Sequence, residues 1–168
     1  MSEITKLLEQ VRNTSGCTVL PPSGLPDAFG ENLCPEDLRE FYGQSGGVTL
    51  FEDRDFCFRL AHKELFVRAN PLILGSNFKE FGPEMDATTS RHWYIVASGT
   101  GPEENLSIDL GKARLGKCYD SFYEVHGTPD CPIIALSFTD LFRNLFDSEG
   151  RTLFWQESDF EEIGFAEL

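Results

Sequence analysis

The feature that most constrains this chain is how its apolar periodicity changes along the sequence: helical spacing near both ends, two-residue alternation between them. Near the N-terminus Ile4, Leu7, Leu8 and Val11 fall at i, i+3, i+4 and i+7, which predicts an amphipathic helix over Ser2 to Asn13. Ser2 is placed to cap its first turn, with Glu3 beside it. A second helix is announced by Pro35 at the expected first helical position, with Glu36 and Asp37 at the positive helix end. Leu33 is expected to staple to Leu38, and Leu38, Phe41 and Tyr42 to form the buried face, with Gly43 and Gly46-Gly47 as stops. A third helix begins at Ser137, where Asp140 three residues on makes a variant capping box and Leu136 is expected to staple to Leu141. Its broad apolar face is Phe138, Leu141, Phe142, Leu145 and Phe146, and Gly150 is expected to end it.

The middle of the chain reads as strands. Phe56, Phe58 and Leu60 alternate with Cys57 and Arg59, and Leu65 and Val67 flank Phe66. Trp93 to Ala97 is a continuous apolar run, the pattern of a central strand covered on both faces. Gly99-Thr-Gly-Pro turns it toward Leu106-Ser-Ile-Asp, Gly111-Lys leads to a stretch over Lys117–Val125, and Pro132-Ile-Ile-Ala is a further short strand or a lead-in to helix. Short polar turns between such runs imply antiparallel neighbours. Thr18-Val-Leu-Pro-Pro-Ser-Gly-Leu-Pro reads as a stiff irregular connector. The expected fold class is α+β: a mostly antiparallel, twisted sheet flanked by N-terminal and C-terminal helices, in one domain over residues 1–168. No repeat or linker divides the chain, and its 15 Phe supply a bulky aromatic core.

Charge bears on partners. Fourteen Lys and Arg face 28 Asp and Glu, a net −14. Such a field repels nucleic acid and anionic membrane surfaces and draws in basic proteins. The richest basic segment, Lys112 to Lys117, carries three positive charges and reads as a turn. Candidate partner-binding acids lie on strands and turns of the sheet region: Glu52, Asp53, Asp55, Glu103, Glu104, Asp109, Asp120 and Glu124. The tail from Asp147 adds seven more acids against Arg151 alone. A solvated face is the simpler explanation of these acids, and a docking face for a basic protein the sharper one.

Signals for chemistry are weak. The histidines, His62, His92 and His126, sit in no recognisable signature, His92 and His126 reading as strand-end residues, and no G-x-S-x-G elbow occurs. Metal ligands lack the H-E-x-x-H and C-x-x-C spacings, and Glu52-Asp-Arg-Asp55 lacks the glycine and distal Glu of a calcium loop, so an acidic hairpin turn is expected there. Gly99-Thr-Gly101 runs into Pro102-Glu-Glu, whose carboxylates oppose a phosphate. Neither a cofactor nor a metal is expected. The five cysteines form no disulfide framework and are expected to be buried thiols. No apolar stretch approaches the roughly 20 residues of a membrane span, and Met1-Ser-Glu-Ile-Thr-Lys has no positive region before an apolar run, so a cytoplasmic location is expected.

The order of segments resembles the SUKH superfamily, which joins yeast cell-wall glucan-synthesis regulators to many bacterial toxin-immunity proteins. Leu33-Cys-Pro-Glu-Asp-Leu-Arg-Glu-Phe-Tyr, followed by Gly46-Gly47, is similar to its opening motif. The Trp93–Ser98 strand, Ile108-Asp109, the Ser137-Phe138 helix start and Phe154-Trp155 follow in its order. The end, Gly164-Phe165-Ala166, departs from the family's Gly-Asp-Ala. The resemblance covers roughly residues 30 to 166. It gives Leu33, Pro35, Leu38, Gly46, Gly47, Trp93, Ser137, Phe138 and Trp155 structural roles, and carries over no catalytic residue. It implies a non-catalytic protein-binding module, foremost an immunity protein that neutralises a basic toxin domain, often a nuclease, by direct binding. A regulatory scaffold of a pathway such as cell-wall synthesis is the alternative, and a hydrolase a third reading.

Overall fold

Seven strands join edge to edge in an antiparallel sheet whose spatial order follows the chain, β1-β2-β3-β4-β5-β6-β7, in a computed structural model that describes residues 1–167. They are β1 (Thr18–Val19), β2 (Val48–Leu50), β3 (Phe58–Leu60), β4 (Trp93–Ser98), β5 (Asn105–Asp109), β6 (Cys118–Asp120) and β7 (Ile133–Ala135). The α+β class is therefore as the periodicity predicts. The helices are α1 (Glu3–Arg12), α2 (Glu36–Gln44), α3 (Ala69–Leu74), α4 (Phe78–Met85) and α5 (Phe138–Asp147).

Alternation along the strands divides the apolar residues between two faces. On one face α1, α2 and α5 pack against Val48, Leu50, Phe58, Leu60, Val96, Leu106, Ile108 and Ile134 to make the main core. Its centre is aromatic: Phe41 meets Phe138 edge-on at 5.0 Å and Phe142 at 5.8 Å. Each such ring, fully buried, contributes roughly 1.5–3 kcal/mol. The half-exposed ion pairs of Arg143 with Glu3 and Asp140 add on the order of 0.5 kcal/mol each, so the apolar face fixes how α5 sits.

On the second face α3 and the C-terminal tail cover a smaller cluster of Ala69, Trp93, Ile95, Tyr119, Cys131, Ile133 and Ala166. Trp93 stacks on Tyr119 with ring centroids 4.0 Å apart. Phe165 reaches the edge strand through an antiparallel bridge to Pro132.

Two of the expected caps form. The Ser2 Oγ accepts from the Thr5 amide at 3.2 Å, and the Ser137 Oγ from the Asp140 amide at 3.1 Å. A third end-cap comes from another helix. Asp37 on α2 accepts from both the amide and the hydroxyl of Thr139 at 2.8 Å, so a carboxylate of α2 meets the positive end of α5.

Several local expectations are corrected. Leu33 and Leu136 are 51% and 54% exposed, so neither hydrophobic staple forms. Pro35 is the N-cap of α2, one place before the first helical residue, and Gly43 lies inside the helix. Asp140 pairs with Arg143 instead of returning to the Ser137 amide. Thr18-Val19 is edge strand β1, paired with Thr49 and Val48, where a connector was expected. Leu65 closes a 3-10 turn, Lys63–Leu65, that buries Phe66 and exposes Val67, in place of a strand. The strand expected across Lys117–Val125 shortens to Cys118–Asp120. Gly46-Gly47 acts after the helix: Gly47 has φ +132°, and a Cβ there would sit 2.6 Å from the His62 Cα.

Candidate protein-binding surface

The register of the sheet decides where the candidate acids lie. Leu50 pairs with Phe58, Arg59 with Ser98, Ser98 with Asn105, and Leu106 with Asp120. The turns β2–β3, β4–β5 and β6–β7 therefore leave the sheet at the same end. Glu52, Asp53 and Asp55 stand on the first turn, Glu103 and Glu104 on the second, and Glu124 on the third. All but Glu104, which is half-buried, are exposed. The Tyr123 amide donates to the Glu103 carbonyl at 3.2 Å, which joins the second and third turns. The Gly101 amide donates to Glu104 Oε2 at 3.1 Å, which fixes that side chain over its own turn.

Helix α5 runs back to this end, because the Phe56 amide donates to the Gly150 carbonyl at 3.1 Å. Two grooves open around its last turn. One, of about 450 Å³, has Phe51 and Phe146 in its walls with Asp53, Asp147 and Glu149. The other, of about 480 Å³, has Phe154 and Phe160 with Asp147, Glu157, Asp159 and Glu161. Asp147 lines both, so they adjoin. Arg54 and Arg151 are their cations, and Arg151 is spent on Glu149 at 2.9 Å. Aromatic walls with carboxylate rims suit long cationic side chains, whose methylene stems lie on rings while the head group meets oxygen.

Asp109 and Asp120 are removed from this surface. They are 1% and 6% exposed, and each is held by a tryptophan. Asp109 accepts from Trp93 Nε1 at 3.0 Å and from the Gly111 amide at 2.7 Å. Asp120 accepts from Trp155 Nε1 at 3.0 Å and from the Phe122 amide at 3.0 Å. Burial raises both carboxyls above their usual range, against the lowering effect of those bonds. Each tryptophan is thus buried and tied through its indole N–H to a buried carboxylate. A signal for Asp109 was present: a strand covered on both faces shelters the neighbour it pairs with, and Asp109 pairs with Trp93.

His126 is no strand-end residue but a buried group in the loop after β6. Its Nε2 lies 2.7 Å from the Asn70 Oδ1 and its Nδ1 lies 3.0 Å from the Ser121 Oγ. Asn70 in turn donates to Asp86 at 3.0 Å and to Ser90 at 3.2 Å. The amide oxygen accepts, so Nε2 carries the proton and Nδ1 accepts from Ser121. Ser121 and Ser107 lie 2.5 Å apart. Asn70, Ser90, Ser107, Ser121 and His126 are buried, so the network ties α3 to the sheet, with the partly exposed Asp86 at its outer edge. Burial lowers His126 to about 4. His62 is half-buried and lies 3.1 Å from the Val48 carbonyl, and burial lowers it too. No group of three or more His, Cys, Asp and Glu among the described residues is arranged to hold a metal ion. No helix among them is long and apolar enough to cross a membrane.

The opposite end of the sheet carries cations. Lys112, Arg114 and Lys117 lie in the β5–β6 turn, Arg91 just before β4, and Lys63 just after β3. The molecule is thus charged unevenly, with its carboxylate-rich turns at one pole. Sequence reading missed the acids of this pole that come from α5, Asp147 and Glu149, as members of the same surface as Glu52 and Asp53. The signal was Gly150, whose φ of +69° turns the chain onto the β2–β3 hairpin.

Comparison with known proteins finds 37% identity over 164 residues to the immunity protein YokJ of Bacillus subtilis (strain 168), across 97% of this chain and 94% of that one. No protein-family model matches.

Proposed function

We propose that this chain, which belongs to the family of the immunity protein YokJ, is itself an immunity protein of SUKH type that binds a basic toxin domain through the acidic pole of its sheet. The observation that carries this reading is the convergence of Glu52, Asp53, Asp55, Glu103, Glu104 and Glu124 at one end of the sheet, beside two aromatic-walled grooves rimmed by Asp147, Glu149, Glu157 and Asp159. Its mode of action is steric and electrostatic, and no bond is made or broken. The toxin class that fits is a nuclease, because an enzyme acting on a phosphate backbone presents the cations these carboxylates pair with. The pairing covers the surface that the toxin needs for its substrate, and speeds encounter more than it deepens affinity. The site of action is the cytoplasm, where such a toxin meets nucleic acid.

Co-expression with each candidate basic nuclease toxin of the source genome tests the proposal. Cells making the toxin grow only when the chain is present, and a quadruple variant Glu52→Gln, Asp53→Asn, Asp147→Asn, Glu149→Gln loses protection while folding normally. Equal protection by that variant overturns the acidic-pole assignment, and no protection by the unaltered chain overturns the immunity reading.

A further inference from the structure

At the cationic pole a cavity of about 280 Å³ opens between the 3-10 turn Thr89–His92 and the β5–β6 turn, lined by Thr88, Thr89, Arg91, His92, Lys112 and Arg114, with buried Asp109 in its wall. That size is near the lower end of small-molecule sites, roughly 300 Å³. In a chain with 14 Lys and Arg against 28 acids, this wall gathers Arg91, Lys112 and Arg114. None of the three forms an ion pair among the described residues, although four such pairs engage Arg68, Arg143 and Arg151 elsewhere. Arg114 donates to the Ala166 carbonyl, and Arg91 to His92 Nε2 at 3.1 Å.

One buried hydroxyl without a hydrogen-bond partner belongs to this region. It is the Oγ1 of Thr89, a residue that lines the cavity. An orphaned buried hydroxyl costs about 1–3 kcal/mol, a cost that a ligand group accepting from Thr89 would relieve. The carboxylate in the wall is already satisfied, Asp109 accepting from Trp93 and from the Gly111 amide. Three permanent cations against that one carboxylate leave about two positive charges, the charge of a phosphate dianion and twice that of a carboxylate.

We infer that this cavity binds a phosphate group, free or on a small metabolite, with Arg91, Lys112 and Arg114 as counter-charges and Thr89 Oγ1 as a hydrogen-bonding partner. The site lies at the far end of the sheet from the acidic pole and does not depend on the immunity reading.

Titration with inorganic phosphate at fixed pH and ionic strength, followed by amide NMR, tests it, with acetate as the matched control. Saturable shifts at Gly111, Lys112 and Arg91 are expected with phosphate and not with acetate. Lys112→Ala and Arg91→Ala each raise the phosphate Kd about tenfold, the effect of one charge-assisted hydrogen bond. Thr89→Val raises it about fivefold while leaving the thermal midpoint unchanged or higher, which a merely structural hydroxyl would not do. Shifts that never saturate, that acetate reproduces, or that all three variants retain overturn the proposal.

Discussion

Acidification offers a test of the polar network that ties α3 to the sheet. His126 is buried and neutral, with Nε2 donating to Asn70 and Nδ1 accepting from Ser121. Protonating Nδ1 would turn an acceptor into a donor that faces a hydroxyl and would place a charge where water does not reach. Burial therefore lowers the imidazole from 6.5 to about 4. A histidine lowered on folding leaves the unfolded chain holding more protons between those two values, so stability is full above pH 6.5 and falls as pH drops toward 4. Each pH unit in that window removes about 1.4 kcal/mol, roughly 3 kcal/mol in all. Asp109 and Asp120, raised by burial, act with the opposite sign, since the folded state takes up their protons first. Relief of repulsion among the surface carboxylates also opposes it. Comparison with His126→Gln, which keeps a donor toward Asn70 and an acceptor toward Ser121, cancels both. Urea unfolding at pH 7 and pH 4.5 should show the unaltered chain losing about 2.5 kcal/mol more than the variant. Equal losses in the two proteins, or an NMR titration that places His126 near 6.5, would refute the assigned tautomer and burial.

Two further substitutions probe how the fold is held. Asp37→Ala leaves the Thr139 amide and hydroxyl without their acceptor at the start of α5 and should lower unfolding free energy by about 2 kcal/mol in urea, with a double-mutant cycle through Thr139→Val recovering as coupling only the hydroxyl's share, about half, since valine keeps the amide. Gly47→Ala forces a Cβ onto the His62 backbone at a φ of +132° and should cost about 3 kcal/mol or more by the same measurement, lowering the thermal midpoint by several degrees.

What sequence patterning revealed, and what it hid, follows from the range of the forces involved. The faces of α1 and α5 were readable because Ile4, Leu7, Leu8 and Val11, and Phe138, Leu141, Phe142 and Leu145, repeat at helical spacing, and all eight are buried. Helices α3 and α4 went unread: they are six and eight residues long, carry Pro71 and Pro83, and lack a sustained stripe. The short β1 hid among prolines, because its pairing with β2 is long-range and leaves no local mark. The acids on the turns were legible one by one. Their gathering at one end was not, since it depends on register. Asp120 reads as a surface acid because nothing local distinguishes a carboxylate that meets water from one that meets an indole N–H, and Trp155, which holds it, lies 35 residues away; for Asp109 the doubly covered strand that pairs with it carries the signal.

The central claim is that the acidic pole grips a basic protein. The direct measurement is the association rate with the toxin against which the chain protects, from low to high salt, for the unaltered chain and for Glu52→Gln, Asp53→Asn, Asp147→Asn, Glu149→Gln. Steep slowing with salt in the first, and a slower rate with little salt dependence in the second, is what the charge arrangement predicts. Rates that coincide for the two proteins at every salt concentration would contradict it.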